Sequence, residues 1–156
     1  MKFELDETDL RLISELESDA SITKKKLARK LNIPLTTIHN RIRKMEITGV
    51  IRGYRAAIDK KKIGKGVAAF VDITVSYVSP DFSQQEIGKR LAAMPEVDEV
   101  AIVTGGTDLQ LKVYVNSTDE LNDFITRKLR AIKGIDKTNT RVILQEIGKN
   151  HQRNIK

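Results

Sequence analysis

The spacing of apolar residues near the start of the chain predicts an amphipathic helix from Leu5 to about Ser18. Asp6 can cap its first turn, and Asp9, at the third position, can return the hydrogen bond. Residues three apart lie on the same side of a helix, so Leu10, Ile13 and Leu16 should face the core.

Two further helices follow within the next thirty residues. One is predicted from Thr23, an N-cap residue, to Leu31, and the other from Pro34, which is favoured in a first turn, to Thr48. Ile38, Ile42 and Met45 form the apolar face of the last helix. Because only a tight turn separates these two helices, the sequence predicts a helix-turn-helix.

After Gly49 the pattern changes to a short extended segment, and then to strand, helix and strand repeated twice. This order is that of a ferredoxin-like βαββαβ domain, so the fold class is α+β. Such a sheet has helices on one face, and we expect its other face to cover a second copy of the chain. The predicted strands are Val67 to Val78, Val97 to Val103, Leu109 to Val115 and Thr138 to Ile147, and the helices begin after Ser83 and Ser117. The resulting domains are 1–58, a linker 59–66, 67–148, and a polar tail 149–156.

The charge of the chain is concentrated in its first part. The whole sequence carries a net charge of +7; residues 1–63 hold 15 basic and 9 acidic side chains, whereas the remainder holds 13 and 12. Such asymmetry favours an anionic partner, either nucleic acid or a membrane surface, for the first part.

The outward face of the third predicted helix carries side chains that suit DNA. In the major groove Asn pairs with adenine and Arg with guanine through two hydrogen bonds, and Thr and Lys suit phosphates. The alternative is an ordinary solvated face. The outward residues are Thr36, Thr37, His39, Asn40, Arg43, Lys44 and Ile47.

Lys24, Lys25 and Lys26 favour the DNA interpretation. They stand at the start of the second helix, where the helix dipole is positive and acidic residues would be the stabilising choice. A phosphate at that helix end would turn the repulsion into attraction. Arg41 has two interpretations, a further phosphate contact or an ion pair with an acid of the first helix.

These residues also form a pattern that resembles the Lrp/AsnC (feast/famine) family of transcription regulators. The resemblance runs along essentially the whole chain, and its one clear departure is Pro34, where the family usually has Ser or Thr. The pattern is Leu5-Asp6-x-x-Asp9, Leu27-Ala28-x-x-Leu31, Ile38-x-x-Arg41-Ile42-x-x-Met45-Glu46-x-x-Gly49-Val50-Ile51-x-Gly53-Tyr54 and the turn Gly105-Gly106-Thr107-Asp108.

The resemblance implies a winged helix-turn-helix domain joined to a ferredoxin-like (RAM-type) effector domain. It also implies homodimers that pair through their sheets, often in assemblies of up to four dimers. An amino-acid effector would bind near the glycine turn, where free backbone amides suit a carboxylate and Asp108 an ammonium group. A tight hairpin turn would require the same glycines. The residues so implied are Gly105, Gly106, Thr107, Asp108, Thr138 and Thr140.

Other classes of protein find little support in the sequence. Without cysteine, and with His39 and His151 as its only histidines, the chain offers no nucleophile-base pair and no metal cluster, so we expect neither catalysis nor a cofactor. No export signal or membrane span is present, which predicts a cytoplasmic protein. Two alternatives to a sequence-specific regulator of double-stranded DNA remain open: a ligand-independent architectural DNA-binding protein, and a small-molecule-binding protein whose basic domain docks on a partner.

Overall fold

A computed structural model of the chain describes residues 4–76 and 83–147. The chain forms two compact units, Met1–Ala57 and Ile58–Lys156, which are treated separately below. Two sequence predictions fall outside the described residues: the end of the first strand at Val78 and the tail from residue 149.

The first unit consists of the three predicted helices. Asp6 and Asp9 form a complete capping box, since each carboxylate accepts a hydrogen bond from the other residue's backbone N–H. Thr23 caps the second helix by accepting from the N–H of Lys26, whereas Pro34 provides no side-chain cap for the third. The helices are α1 (Glu7–Ser18), α2 (Lys24–Leu31) and α3 (Leu35–Ile47).

One apolar cluster holds these helices together. Ile38, Ile42 and Met45 are fully buried in it, as the sequence predicts. In α1, however, Leu12 is the fully buried residue and Leu10 is 56% exposed, so the prediction that Leu10 faces the core is wrong. Ile13 and Leu16 contact the edge of the cluster.

Two residues with positive φ flank α3. Asn32, between α2 and α3, adopts the left-handed conformation (φ 55°), which Asn tolerates better than most residues. Gly49 (φ 74°) follows Thr48, the C-cap residue of α3. Residues 50–56, predicted as extended, form no strand in the structure. The N–H of Ile51 nevertheless donates to the carbonyl of Met45 over 3.0 Å, and the Ile51 side chain packs against the cluster of the three helices.

The second unit contains four strands and two helices. The strands are β1 (Val67–Val75), β2 (Val97–Ile102), β3 (Leu109–Val115) and β4 (Ile135–Ile143), and the helices are α4 (Gln84–Ala92) and α5 (Thr118–Asp123). The strands form an antiparallel sheet in the order β2-β3-β1-β4, which is the ferredoxin-like order. A short 3₁₀ helix, Lys61–Ile63, precedes the sheet, and a π-helix, Phe124–Leu129, continues α5. The predicted last strand, Thr138 to Ile147, thus begins three residues and ends four residues later than β4.

The two faces of the sheet differ sharply in composition. Val71, Ile73 and Leu111 belong to a buried cluster that also includes Leu91 of α4 and Phe124 after α5. Alternate residues point to the other face, here called the outer face, because side chains along a strand alternate. On β1 and β3 the outer face consists of Ala68, Phe70, Asp72, Thr74, Gln110, Lys112 and Tyr114.

Candidate nucleic-acid interface and effector turn

The exposed face of α3 is the first candidate site. Thr36, Asn40, Arg43 and Ile47 are all exposed and recur at intervals of three or four, so they form a single stripe along the helix. The exposure of Ile47, 75%, contrasts with the near-complete burial of Ile42 on the opposite side. The Thr, Asn and Arg side chains of the stripe are of the types that bond phosphates and base edges in a major groove. Of the other predicted residues, His39 and Lys44 are exposed and Thr37 is half-buried.

The second candidate element is the beginning of α2. Lys25 and Lys26 are exposed and Lys24 is half-buried, and the first turn contains no acidic residue. One amide of this turn, that of Lys26, is capped by Thr23 over 3.2 Å. Lys30, at the other end of the helix, pairs with Glu15 of α1. The lysines at the start therefore keep their positive potential for a ligand outside the helix.

Arg41 occupies the second of its two predicted roles. Its Nη1 lies 2.6 Å from an Asp6 carboxylate oxygen and 2.8 Å from one of Asp9, and the Asp9 side chain is only 5% exposed. Hydrogen bonds from the Asp9 backbone and from Arg41 lower the pKa of Asp6, and the two carboxylates raise that of Arg41. The structure thus supports the ion-pair role, and a contact of Arg41 with DNA stays a prediction.

A hydrogen bond that the sequence did not reveal joins the segment after α3 to that helix. The hydroxyl of Tyr54 donates to Glu46 Oε1 over 2.8 Å. Burial and this hydrogen bond raise the pKa of Tyr54 to about 12. The eight-residue separation crosses the end of a helix, so no periodicity could have indicated the pair.

The predicted effector turn, residues 105–108, joins β2 to β3. Gly105 has φ 115°, and a side chain added at Gly106 would meet nothing within 4 Å, so this part of the turn opens to solvent. Asp108 is already engaged: one carboxylate oxygen accepts from the N–H of Val75 and the other from Nε2 of Gln84, both over 2.9 Å. An ammonium group would have to share these oxygens.

The two threonines proposed as neighbours of the turn lie on β4. Thr138 pairs with Ile73 of β1, which pairs in turn with Leu109 at the start of β3. Thr138 is thus level with the turn but separated from it by one strand, and Thr140 is two residues further away along β4. Both are half-buried and lie on the helix-covered side of the sheet.

Among the described residues, 4–76 and 83–147, no three His, Cys, Asp or Glu side chains come together as metal ligands. In the same residues, no helix has the length and apolar character that crossing a membrane requires.

Comparison with known protein families matches both units. Residues 5–52 match the winged helix-turn-helix DNA-binding family, and residues 68–152 match the Lrp/AsnC ligand binding domain. The second match alone spans more than half of the chain.

Curated relatives are similar over most of their own length. The HTH-type transcriptional regulator PH1916 of Pyrococcus horikoshii is 36% identical over 140 residues, which cover 88% of this chain and 91% of the relative. Regulator FL11 of the same organism is 32% identical over 93% of each chain. The leucine-responsive regulatory protein of Rhizobium meliloti is 30% identical over 94% of each.

Solved structures share the fold. Bacillus subtilis LrpC superposes with a TM-score of 0.81 at 26% identity, covering 94% of this chain and 99% of that one. The Neisseria meningitidis regulator NMB0573, solved as a complex with L-Met, gives 0.85 at 21% identity and 93% coverage of both chains. The second comparison concerns the fold alone.

Proposed function

The chain belongs to the Lrp/AsnC family of transcriptional regulators, and we propose that it recognises specific sites on double-stranded DNA as a homodimer and senses an amino acid or a related small molecule. The family consists of DNA-binding regulators rather than enzymes. DNA binding is therefore the general function of the first unit, and ligand binding is that of the second.

The observation that carries sequence-specific binding is the exposed stripe of α3. Asn40 and Arg43 lie three residues apart on it, next to the exposed Ile47. Asn can form two hydrogen bonds with adenine and Arg two with guanine, and a good pair of this kind favours the correct base over a wrong one by about 1–3 kcal/mol. Residues that only solvate a helix would not require this combination.

Lys24, Lys25 and Lys26 supply the part of binding that does not depend on sequence. A phosphate at the start of α2 would meet three ammonium groups and the positive end of the helix dipole. Each neutralised phosphate contributes about −0.9 to the slope of log K against log salt concentration.

Pairing of two chains through their outer sheet faces would place two recognition helices on one DNA. A symmetric dimer reads successive major grooves about 34 Å apart, so the sites would be roughly palindromic. The outer face carries Phe70 and Tyr114 among polar side chains and lies opposite the helix-covered core. Assemblies of two or four such dimers are an extension of this proposal.

The effector proposal rests on the open turn at Gly105 and Gly106 and on the ligand-binding family of the second unit. The structural neighbour in complex with L-Met shows that this fold accommodates an amino acid in that protein. Here Asp108 and Thr107 would contact the ligand, with Thr138 and Thr140 as more distant candidates.

DNA binding is tested with a fragment from just upstream of the protein's own coding region, titrated in salt beside a scrambled competitor. A preference of at least about a thousandfold supports a specific regulator. Equal, salt-sensitive binding to both fragments would instead indicate an architectural protein. No binding at low salt would overturn the DNA proposal.

Variants assign the roles of individual residues. Asn40→Ala and Arg43→Ala should reduce the preference for the upstream fragment, whereas replacing the three lysines should weaken binding to all sequences and flatten the salt slope. Lys137→Ala, an exposed lysine on β4, is the matched control for charge. Circular dichroism confirms that each variant is folded.

Effector binding is measured by calorimetry with the twenty amino acids one at a time. Gly106→Val fills the open turn without a strained backbone and should abolish binding, while Thr104→Val, also exposed, should not. Binding that survives Gly106→Val would place the ligand elsewhere.

A further inference from the structure

The linker, residues 59–66, carries a positive charge out of proportion to its length. It contains four lysines and one acidic residue, whereas residues 67–156 hold twelve basic and twelve acidic side chains. The second unit, which begins at Ile58, is therefore neutral apart from its linker. All of its excess positive charge lies where it joins the DNA-binding unit in the chain.

The start of the linker is folded into a turn. The Asp59 carboxylate accepts hydrogen bonds from the backbone N–H groups of Lys61 and Lys62 over 3.1 and 3.3 Å. These bonds fix the first turn of the 3₁₀ helix Lys61–Ile63. The lysines are thus held close together on a defined backbone instead of being spread along an extended segment.

Two of the four lysines fasten the linker to the second unit. Lys60 Nζ donates to Asp98 Oδ1 over 2.7 Å and lies 5.1 Å from the centre of the Tyr114 ring. Lys65 Nζ donates to the backbone carbonyl of Pro95 over 3.0 Å. Both lysines are half-buried, so contacts within the chain explain why these two positions are basic.

The other two lysines, Lys61 and Lys62, face solvent. Both are exposed, and the Lys62 ammonium approaches the Asp59 carboxylate only to 3.9 Å, with side chains that are 83% and 53% exposed. A loose, exposed pair of this kind contributes little to stability. Adjacent positive charges on a fixed turn repel each other, and an anion outside the chain would relieve that repulsion.

From these observations we propose that Lys61 and Lys62 bind phosphates of the duplex that the first unit recognises, so that the second unit contacts DNA directly. The inference rests on the proposed DNA binding and adds a second surface to it. DNA is favoured over other anionic partners because Lys61 follows Ala57, the end of the DNA-binding unit, by four residues, a chain length of at most about 14 Å. A lysine ammonium binds phosphate as a point charge and carries no sequence information there, so the contact adds affinity to every sequence alike.

The first test is a salt titration of full-length Lys61→Ala/Lys62→Ala on the upstream and the scrambled fragment. Each lost phosphate contact reduces the slope of log K against log salt concentration by about 0.9, hence by about 1.8 for each chain. Affinity near 0.1 M salt should fall at least about tenfold on both fragments, and the ratio between the fragments should stay that of wild type. A slope equal to that of wild type refutes the contact. If circular dichroism shows this variant to be unfolded, Lys61→Gln/Lys62→Gln provides the same test.

The control variant Lys89→Ala/Arg90→Ala removes the same amount of charge elsewhere on the second unit. These residues are also adjacent and exposed, in the last turn of α4. Lys89 pairs with Glu86 three residues earlier, as Lys62 does with Asp59. The control should keep the wild-type slope. An equal reduction in both variants would show that net charge alone is responsible, and would refute the contact.

The position of the contact is tested separately. Because the chain contains no cysteine, Lys62→Cys provides a single attachment point for an iron chelate that cleaves nearby DNA. Cleavage of the upstream fragment is expected from this position, and none from the same chelate on Lys89→Cys. No cleavage from Lys62→Cys, or equal cleavage from both positions, refutes the contact.

The outcomes distinguish this inference from the proposed DNA binding. Wild type that binds neither fragment at low salt overturns both proposals. Wild type that binds DNA, with a slope that the double alanine variant leaves unchanged, refutes the second surface alone. If that variant instead loses binding to phosphatidylglycerol vesicles, the two lysines belong to a membrane contact and the DNA assignment is wrong.

Discussion

Replacing Arg41 by alanine distinguishes a residue that holds two helices together from one that contacts DNA. The change removes two charge-assisted hydrogen bonds, and it leaves the carboxylate of Asp9, 5% exposed, without its cation. Breaking a fully buried ion pair costs about 3–5 kcal/mol. Because nearly a third of the Arg41 side chain is exposed, we expect a smaller loss, about 2 kcal/mol of the free energy of unfolding.

The assay is urea unfolding followed by circular dichroism, combined with DNA binding under conditions where each variant is folded. Arg43→Ala, two residues along the same helix and exposed, is the matched control and should change stability by less than about 0.5 kcal/mol. The salt slope of Arg41→Ala should equal that of wild type. Unchanged stability together with a slope reduced by about 0.9 would refute the reasoning and return Arg41 to the DNA interface.

Three further predictions follow from single contacts. Because the pKa of Asp6 is lowered in the folded chain, the ionised carboxylate contributes its full stability above the ordinary pKa of 3.8, and that stability is lost as pH falls through the lower folded pKa. Asp6→Asn should therefore lose less stability than wild type between pH 4 and 2 in thermal melts. Melting temperatures that fall equally with pH in both proteins would contradict this. Tyr54→Phe should cost about 1 kcal/mol in urea unfolding and remove a phenol that titrates near pH 12 in the folded chain; an unchanged ultraviolet titration curve would contradict the assignment. Phe124→Ala should cost about 3–5 kcal/mol because the ring is 1% exposed, and Ile102→Ala, at an exposed site, is its control; equal costs would contradict the packing described for the sheet.

The bounds of a strand are predicted correctly from the sequence where its local apolar pattern agrees with its pairing in the sheet. In β3 the alternation of Leu109, Leu111, Val113 and Val115 coincides with its inward face, and the predicted bounds of that strand are confirmed. In β4 the apolar residues near the end of the chain suggested a later strand. The observed strand begins at Ile135 because its register is set by pairing with β1, which a local pattern cannot show.

The candidate sites divide in the same way. Residues of one helix face, such as Asn40 and Arg43, could be grouped from the period of the helix alone. The partners of Arg41 lie 32 and 35 residues earlier in the chain, so the choice between acid and phosphate required the packing of α1 against α3. The bonds of Asp108 to Val75 and Gln84 were equally out of reach, since they cross separate elements.

Asp108 has a consequence for how two elements of this domain stay together. Its carboxylate joins the last residue of β1 to the first residue of α4, so the two ends of the connection between them are held by a side chain of a third element. Because one carboxylate makes both bonds, Asp108→Ala should loosen the start of α4 from the end of β1 in a single step.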